Sequence, residues 1–424
     1  MTSPHTTTPP TTTPPTTTPP TTTLPAATSA ARSLPPCGDP AVDWAARLMP
    51  LLAASMAEDG PDLAGRHVGI RLHLEPKTAV LVRWLLHVGC RVTALGNVGT
   101  TQAGTVAVLR ALGATVLDEP GDDAAAHDRH LDALLAAGPD IVLDNGGELV
   151  LRLAAGAPRA AGFLGATEET TSGGDRIRAL PTPPDFPVVV INDSPLKLLV
   201  ENELGVGHSV VQGVMNATNS MLPGARATVV GYGPCGKGVA ETLQRLGARV
   251  AVADTDPFRA LEAVLRGHRV APLADLLPGT QLLLLATGAR HVVGPAEIAA
   301  LRDGVVVAGV GHDGAELDHA ALAAVTARTV DLSPEGRPGA RVVHVLADGR
   351  EVVVLHGTGM VNLTAAGGNP VQAMDLGLSL QARSLAHVAR GDAAGPGARP
   401  VPASVDRVLA AGLVELLTRE PGRA

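Results

Sequence analysis

Aromatic residues are scarce in this chain: two Trp, one Tyr and three Phe among 424 positions. A core must therefore be built from Ala, Val and Leu, and a hydrophobic content of 45% supplies enough of them. Cysteine is scarce too. Cys37, Cys90 and Cys235 are odd in number and scattered, which excludes a disulfide framework, and no C-x-x-C pair offers a metal site. A reducing, cytoplasmic compartment fits this usage. There is no block of Lys and Arg, and the formal charge is -8 with a pI of about 5.9. A broad nucleic-acid surface needs a basic face, so that class is set aside. Long apolar runs are missing as well: Leu151–Ala161 and Gln281–Ala286 are too short or too interrupted to span a bilayer. The Thr/Pro repeat at the N-terminus has neither a basic segment nor an apolar one, so it is not a signal peptide. It has almost nothing to bury and reads as an extended, disordered tail over residues 1–33, with a mucin-like stalk as the other compositional reading.

What is present is an alternation of short β-branched runs with helical stretches. "HVGIRLHL" (67–74) reads as a strand, "KTAVLVRWLLHVG" (77–89) as a helix, "RVTALGN" (91–97) as a strand, and "DIVLDNGG" (140–147) as a strand and loop. A second series has strands at Ala227–Val230, Arg249–Ala253, Gln281–Leu285 and Gly304–Ala308. Such alternation predicts a two-domain α/β protein, a Rossmann-type dinucleotide-binding domain plus a larger doubly wound α/β domain. The expected boundaries are 34–204 for the larger, substrate-binding domain and 205–365 for the dinucleotide domain. A return helix over 366–390 completes the first, and a linker and helix follow over 391–424.

At the head of the second series, "ATVVG" runs into Gly231-Tyr232-Gly233-Pro234-Cys235-Gly236, a G-x-G-x-x-G at a strand-to-helix turn. The first glycine makes the turn, the second admits a pyrophosphate, and the third lets helix and strand approach. The helix that follows aims its free N–H groups at the anion. A second strand ends in Asp254, placed to hold ribose hydroxyls and to disfavour a 2′-phosphate, so NAD is the expected cofactor. A glycine-rich turn without a ligand is the ordinary alternative.

Four further segments carry a resemblance. "VLDNGG" (142–147), "EETTSGG" (168–174), "INDSPLKLLVENELG" (191–205) and Val361-Asn362-Leu363, together with the glycine loop and Gly311-His312-Asp313, resemble the S-adenosyl-L-homocysteine hydrolases in order and spacing from roughly Val68 to Ala389. The resemblance implies an oxidation of a nucleoside 3′-hydroxyl by NAD⁺. Loss of the now acidic C4′ proton, departure of the 5′ substituent, addition of water and return of the hydride then follow. It implies that Lys197 assists deprotonation of the hydroxyl, for which a pKa lowered toward neutrality is expected. It places Glu169 on the sugar hydroxyls, Asn202 beside the nicotinamide, Thr170, Thr171 and Ser172 on the cofactor, His73 and His312 on the 5′ side, and Asn362 on the nicotinamide amide. Taken singly, each of these has a bland reading: a solvated lysine, a helix-end charge, a turn, a packed histidine. Their joint order favours the functional one.

The departures from the family pattern fall around the substrate. Asn145 stands where a second Asp is expected, and an amide cannot accept a proton at neutral pH. Glu201 replaces an Asp, and Val206 a Cys. Glu75 and Lys77 replace a Thr and a Glu that hold the base, Asn369 replaces a His, and Ala103 an Asp. A homo-oligomer is expected; the lysine and tyrosines of the family's C-terminal extension have no counterpart in "LTREPGRA", which puts cross-subunit clamping of the cofactor in doubt and makes a dimer as plausible as a tetramer. The combination leads to an expectation of retained oxidation chemistry on a changed nucleoside: elimination with Glu201, His73 or His312 as acid and base, and dehydration if water addition is suppressed, as in nucleoside-antibiotic biosynthesis. Hydrolysis of adenosylhomocysteine proper, an epimerase or dehydrogenase, and a non-catalytic paralogue stay as alternatives. No metal, membrane or nucleic-acid partner is expected.

Overall fold

The structure is a computed structural model that describes residues 34–119, 122–311, 314–393 and 395–418. The Thr/Pro tail, and the expectation of disorder attached to it, lie outside the described residues. Six strands follow in chain order: β1 (His67–Arg71), β2 (Arg91–Leu95), β3 (Thr115–Val116), β4 (Ile141–Asp144), β5 (Gly165–Glu168) and β6 (Pro187–Val190). All pair in parallel, and β1, β4 and β5 are buried along their whole length, as strands covered on both faces must be. The chain runs from β1 outward through β2 and β3, then returns to the other side of β1 with β4. That reversal opens a crevice at the carboxyl ends of β1 and β4, where α/β sheets bind ligands.

A helical path from Pro195 to Thr218 leads out of this unit. It is α-helical over Pro195–Lys197, π-helical over Leu198–Gly205, and α-helical again over Val206–Thr218. A π-turn inside a helix is rare and is found most often at functional sites. The second sheet then holds β7 (Arg226–Val230), β8 (Arg249–Ala253), β9 (Arg269–Val270), β10 (Leu282–Leu285), β11 (Val305–Gly309), β12 (Thr326–Asp331), β13 (Arg341–Leu346) and β14 (Glu351–Leu355). Its order is β12-β13-β14-β11-β10-β7-β8-β9, with a switch between β7 and β10. The antiparallel run β12-β13-β14 was not foreseen. Most of β12 is exposed, so no apolar alternation marks it in the sequence.

After the second sheet, helix Val371–Ala389 returns to the first one. It packs against β4, β5 and β6 and against helix Pro50–Asp59 through Leu376, Leu380 and Leu385. Helix Pro50–Asp59 begins at Met49, which cannot cap it. Asp375 of the return helix does so instead, accepting from Leu51 N at 3.0 Å and Leu52 N at 2.8 Å. Burial pushes Asp375 up to about 7 even though the two N–H groups pull it down. The Gly/Pro-rich stretch expected to be linker contains a strand, β15 (Gly397–Pro400), parallel to β6 at the edge of the first sheet. Proline is tolerated there because the edge needs no second donor. Both tryptophans, Trp44 and Trp84, lie on helices of the first-sheet unit, and Tyr232 lies in the second. Among the described residues no helix is long and apolar enough to cross a membrane.

Candidate active site

The first helical turn after β6 begins with Ser194, whose hydroxyl caps it by accepting from Lys197 N at 3.1 Å. Lys197 and Glu201 follow one turn apart where the α-helix passes into the π-turn, so their side chains leave on the same face. Lys197 is 2% exposed and pairs with two carboxylates, Glu169 from the loop after β5 and Glu201 at 3.2 Å. The second oxygen of Glu169 accepts from Gln381 of the return helix. Two carboxylates thus meet on one ammonium, and the return helix holds one of them in place.

The electrostatics of this cluster reverse one expectation. Burial alone would lower the Lys197 ammonium, but Glu169 and Glu201 outweigh it and hold its pKa above the ordinary lysine value. The group brought toward neutrality is a carboxyl. Burial pushes Glu201 up to about 7, against the pull of Lys197 and with the help of the Glu169 charge. Glu201 Oε2 has no hydrogen-bond partner among the described residues. The cluster therefore sets a carboxyl raised toward neutrality beside a buried ammonium.

The crevice of the first sheet holds a second polar chain. His73 follows β1, Asn97 follows β2 and Asn145 follows β4. Asn97 Nδ2 lies 3.1 Å from Asn145 Oδ1 and 3.2 Å from His73 Nε2, while His73 Nδ1 lies 2.6 Å from Thr100 Oγ1. Asn145 is anchored from below. Its neighbour Asp144 is fully buried and accepts from Val150 N at 2.9 Å, and Glu168 accepts from Gly146 N and Gly147 N, both at 2.9 Å. Burial, helped by the Asp144 charge, pushes Glu168 up to about 7.

Other candidates are engaged within the protein. Thr170 caps helix Thr171–Arg178 through Gly173 N (2.9 Å) and bonds Glu168, with Ser172 Oγ at 3.3 Å; Thr171 bonds Asn192, which in turn receives Asn202 Nδ2 at 2.8 Å. Glu75 caps helix Pro76–His87 and pairs with Lys77 at 2.7 Å. Lys77 Nζ also donates to Gly367 O at 2.6 Å, tying the first unit to the segment after Asn362. Asn369 Oδ1 accepts from Ser209 at 2.9 Å, with Asn362 Nδ2 at 3.5 Å. His312 lies outside the described residues.

In the second sheet, β7 is followed by Gly231, whose φ of 92° and the closeness of Ala286 O leave no room for a side chain. A Cβ on Gly236 would overlap Gly231 O, whereas one on Gly233 would meet nothing nearer than the tip of Arg259 at 3.7 Å. The loop is closed on its protein side and open at its middle glycine. Asp254 is held at the mouth by Tyr232 N (2.6 Å) and Asp256 N (2.8 Å), and its oxygens retain lone pairs for ribose hydroxyls. Asn362 Oδ1 is buried without a hydrogen-bond partner among the described residues. These residues fit NAD: an approach for the pyrophosphate, an acid for the ribose, and an orphaned amide oxygen for the carboxamide end.

A glycine loop that fits a dinucleotide, with its Cys235 within electrostatic reach of Glu201 and Lys197, defines the class as an NAD-dependent α/β enzyme. The sequence model described as "S-adenosyl-L-homocysteine hydrolase, NAD binding domain" matches residues 202–368. An S-inosyl-L-homocysteine hydrolase of Methanopyrus kandleri is 36% identical over 89% of this chain and 90% of its own length. An adenosylhomocysteinase of Archaeoglobus fulgidus is 36% identical over 82% and 86%. With relatives of that similarity and coverage, the chain belongs to the adenosylhomocysteinase (S-adenosyl-L-homocysteine hydrolase) family and is an NAD-dependent enzyme of the hydrolase type.

Reading the sequence alone missed Asn97, Thr100, Asn192 and Gln381. Asn97 had a signal, a polar residue at the carboxyl end of a strand beside a switch point. Gln381 had one too, an amide in the middle of a helix whose neighbours Leu378, Leu380 and Leu385 are all buried.

Proposed function

We propose that the enzyme oxidises a sugar hydroxyl of a nucleoside, eliminates the 5′ substituent and reduces the ketone again, on a nucleoside whose base is not adenine. When bound, NAD supplies acceptance and later return of a hydride at the sugar carbon. The residues of the chain do the rest. Glu169, fixed by Lys197 and Gln381, accepts from the sugar hydroxyls, and Glu201 receives the hydroxyl proton while Lys197 holds the resulting charge in place. The ketone makes the C4′ proton acidic. Asn145 cannot take that proton, but it orients Asn97 and through it His73, which can. The C5′ bond then breaks, its electron pair leaves with the 5′ group, and that group is protonated as it departs. If the group is a hydroxyl and no water adds back, the net reaction is a dehydration giving an unsaturated nucleoside, a shift toward specialised metabolism.

One observation carries this reading. The Lys197–Glu169–Glu201 cluster is intact, while the 5′ side replaces a carboxylate by the amide of Asn145 and the base side replaces one by Lys77. A lysine only donates. Two partners of Lys77 are Glu75 and Gly367 O, which leaves a donor for a carbonyl on the base, such as that of a 6-oxopurine. The relative from Methanopyrus kandleri, named for an inosyl substrate, is similar to this chain over most of its length.

The test offers holoenzyme adenosine, inosine, S-adenosyl-L-homocysteine and S-inosyl-L-homocysteine, with mass spectrometry for loss of water and a thiol assay. Turnover of an inosine compound at a kcat/KM at least about tenfold above its adenine counterpart is expected. Preference for the adenine compounds, or no product from any of the four, overturns the reading.

A further inference from the structure

The return helix carries a glycine near its middle. Gly377 is buried between Leu376 and Leu378. A glycine in a helix interior is destabilising relative to alanine, so its presence points to a close approach that a side chain would block. The approaching group is a single side chain. A Cβ on Gly377 would overlap Glu201 Oε2, and the next atoms it would meet are Glu201 Cδ at 3.0 Å and Oε1 at 3.8 Å. The glycines of neighbouring helices are of another kind. Gly207, Gly213 and Gly238 face the backbone carbonyls of Gly238, Val361 and Glu203, where two main chains cross.

Glu201 is placed by both of its oxygens. Oε1 lies 3.2 Å from Lys197 Nζ, and Oε2, buried and without a hydrogen-bond partner among the described residues, is directed at Gly377. The side chain is 9% exposed, so solvent offers it little room to retreat. A methyl group at 377 would displace the carboxyl, the far end of a flexible side chain, before it moved the helix, and the pair with Lys197 would open. Residues 373, 377 and 381 stand four apart and share one side of the helix. Ala373 meets Gly205 at the end of the π-turn, where a Cβ would come within 3.0 Å of its own, and Gln381 donates to Glu169. The helix thus gauges the cluster at three levels: small at 373, empty at 377, an amide at 381. The acid at 201 fits because the middle level is empty. An aspartate, the residue of the family pattern, would leave that level unfilled.

We propose that Gly377 is a positioning residue for the oxidation step: its missing side chain admits the longer acid and fixes the reach of the Glu201 carboxyl to Lys197, so that 201 and 377 form one size-matched pair. This rests on the reading above, in which Glu201 receives the hydroxyl proton, and deepens it by naming what sets the place of that carboxyl.

The experiment uses the full-length holoenzyme in four forms: wild type, Gly377→Ala, Glu201→Asp and the double variant. Cofactor reduction by inosine and adenosine is followed by stopped-flow absorbance, and Tm by circular dichroism. With Glu201 present, Gly377→Ala is expected to slow reduction at saturating nucleoside about 100-fold, to change half-saturation by no more than about twofold, and to lower Tm. With Asp at 201 the same substitution is expected to raise Tm, because alanine is the better helix former and there meets no carboxylate. It is also expected to bring the rate back to within about tenfold of wild type. An effect of the same sign in both backgrounds overturns the pairing. A reversal in Tm without recovery of the rate, or a rise in half-saturation with the maximal rate intact, makes Gly377 a packing residue and overturns its positioning role. If the wild type reduces no cofactor with either nucleoside, the oxidation reading falls, and the sign of the Tm change still decides the pairing: reversal supports it, the same sign in both backgrounds overturns it.

Discussion

The crevices at the ends of the two sheets are built by opposite means. In the first, side chains fill the space and satisfy one another: His73, Asn97 and Asn145 form a chain, and Lys197, Glu169, Glu201 and Gln381 a knot, all of it resting on the buried pair Asp144 and Glu168. In the second, the backbone withdraws. Gly231 and Gly236 close the loop on the protein, and Gly233 leaves its outer side bare. The difference teaches where change is tolerated. A crevice made of backbone accepts one ligand shape and leaves little to vary. A crevice made of side chains can exchange a carboxylate for an amide, or a glutamate for a lysine, while its charged knot persists.

Breaking the knot has the largest expected effect. Lys197→Met leaves two buried carboxylates without their ammonium, a loss of about 3–5 kcal/mol of stability, and sugar oxidation is expected to fall about 10²–10⁴-fold. Chemical denaturation and stopped-flow absorbance measure the two. Adding Glu201→Gln should restore much of the stability but none of the rate; recovery of both would show that the knot is structural only.

Gly233→Val sharpens the contrast from the other side. A side chain there meets only the mobile tip of Arg259 at ordinary contact distance, so the apoprotein should lose no more than the helix N-cap preference of glycine over valine, about 1 kcal/mol. Affinity for NAD should fall on the order of 100-fold, and with it the rise in Tm that the cofactor confers. Unchanged NAD binding would remove Gly233 from the cofactor site.

Asn145→Asp is a smaller change of the first crevice. It places a carboxylate on Asn97 and should shift the balance of products toward addition of water, by about tenfold or more, read as the ratio of saturated to unsaturated nucleoside. An unaltered ratio would separate Asn145 from the 5′ chemistry.

The least effect is expected at Asp375. Its folded-state pKa of about 7 lies above the ordinary aspartate value, so between those two values the folded protein holds a proton that the unfolded chain has released. Its contribution to stability is therefore greatest below the ordinary value and declines as pH rises toward the folded one. Asp375→Asn should flatten the fall in Tm between about pH 4 and about pH 7 by a few degrees; an unchanged slope would contradict the burial argument.

The glycine loop, Asp254 and the parallel strands were legible because each is a local pattern, set by the spacing of apolar residues and by positions where only glycine fits. Lys197, Glu169 and Glu201 were legible as a set through the order of motifs. What stayed hidden depends on distance along the chain. Gln381 reaches Glu169 across 212 positions, and Asn97 reaches Asn145 across 48. The direction in which Lys197 is shifted follows from two carboxylates brought together by folding, so burial alone suggested the wrong sign. Strand β15 was masked by its Gly and Pro, and the π-turn by a hydrophobic pattern that does not distinguish it from an ordinary helix.

The placement of the two indoles has a practical corollary. Because Trp44 and Trp84 both ride on helices over the first sheet, intrinsic emission excited at the red edge watches that half alone, and the half with the dinucleotide loop is optically silent except for its single phenol at Tyr232. A melting curve drawn from tryptophan and one drawn from circular dichroism would part company whenever the halves come undone in sequence, giving a label-free gauge of how strongly they are bound to one another.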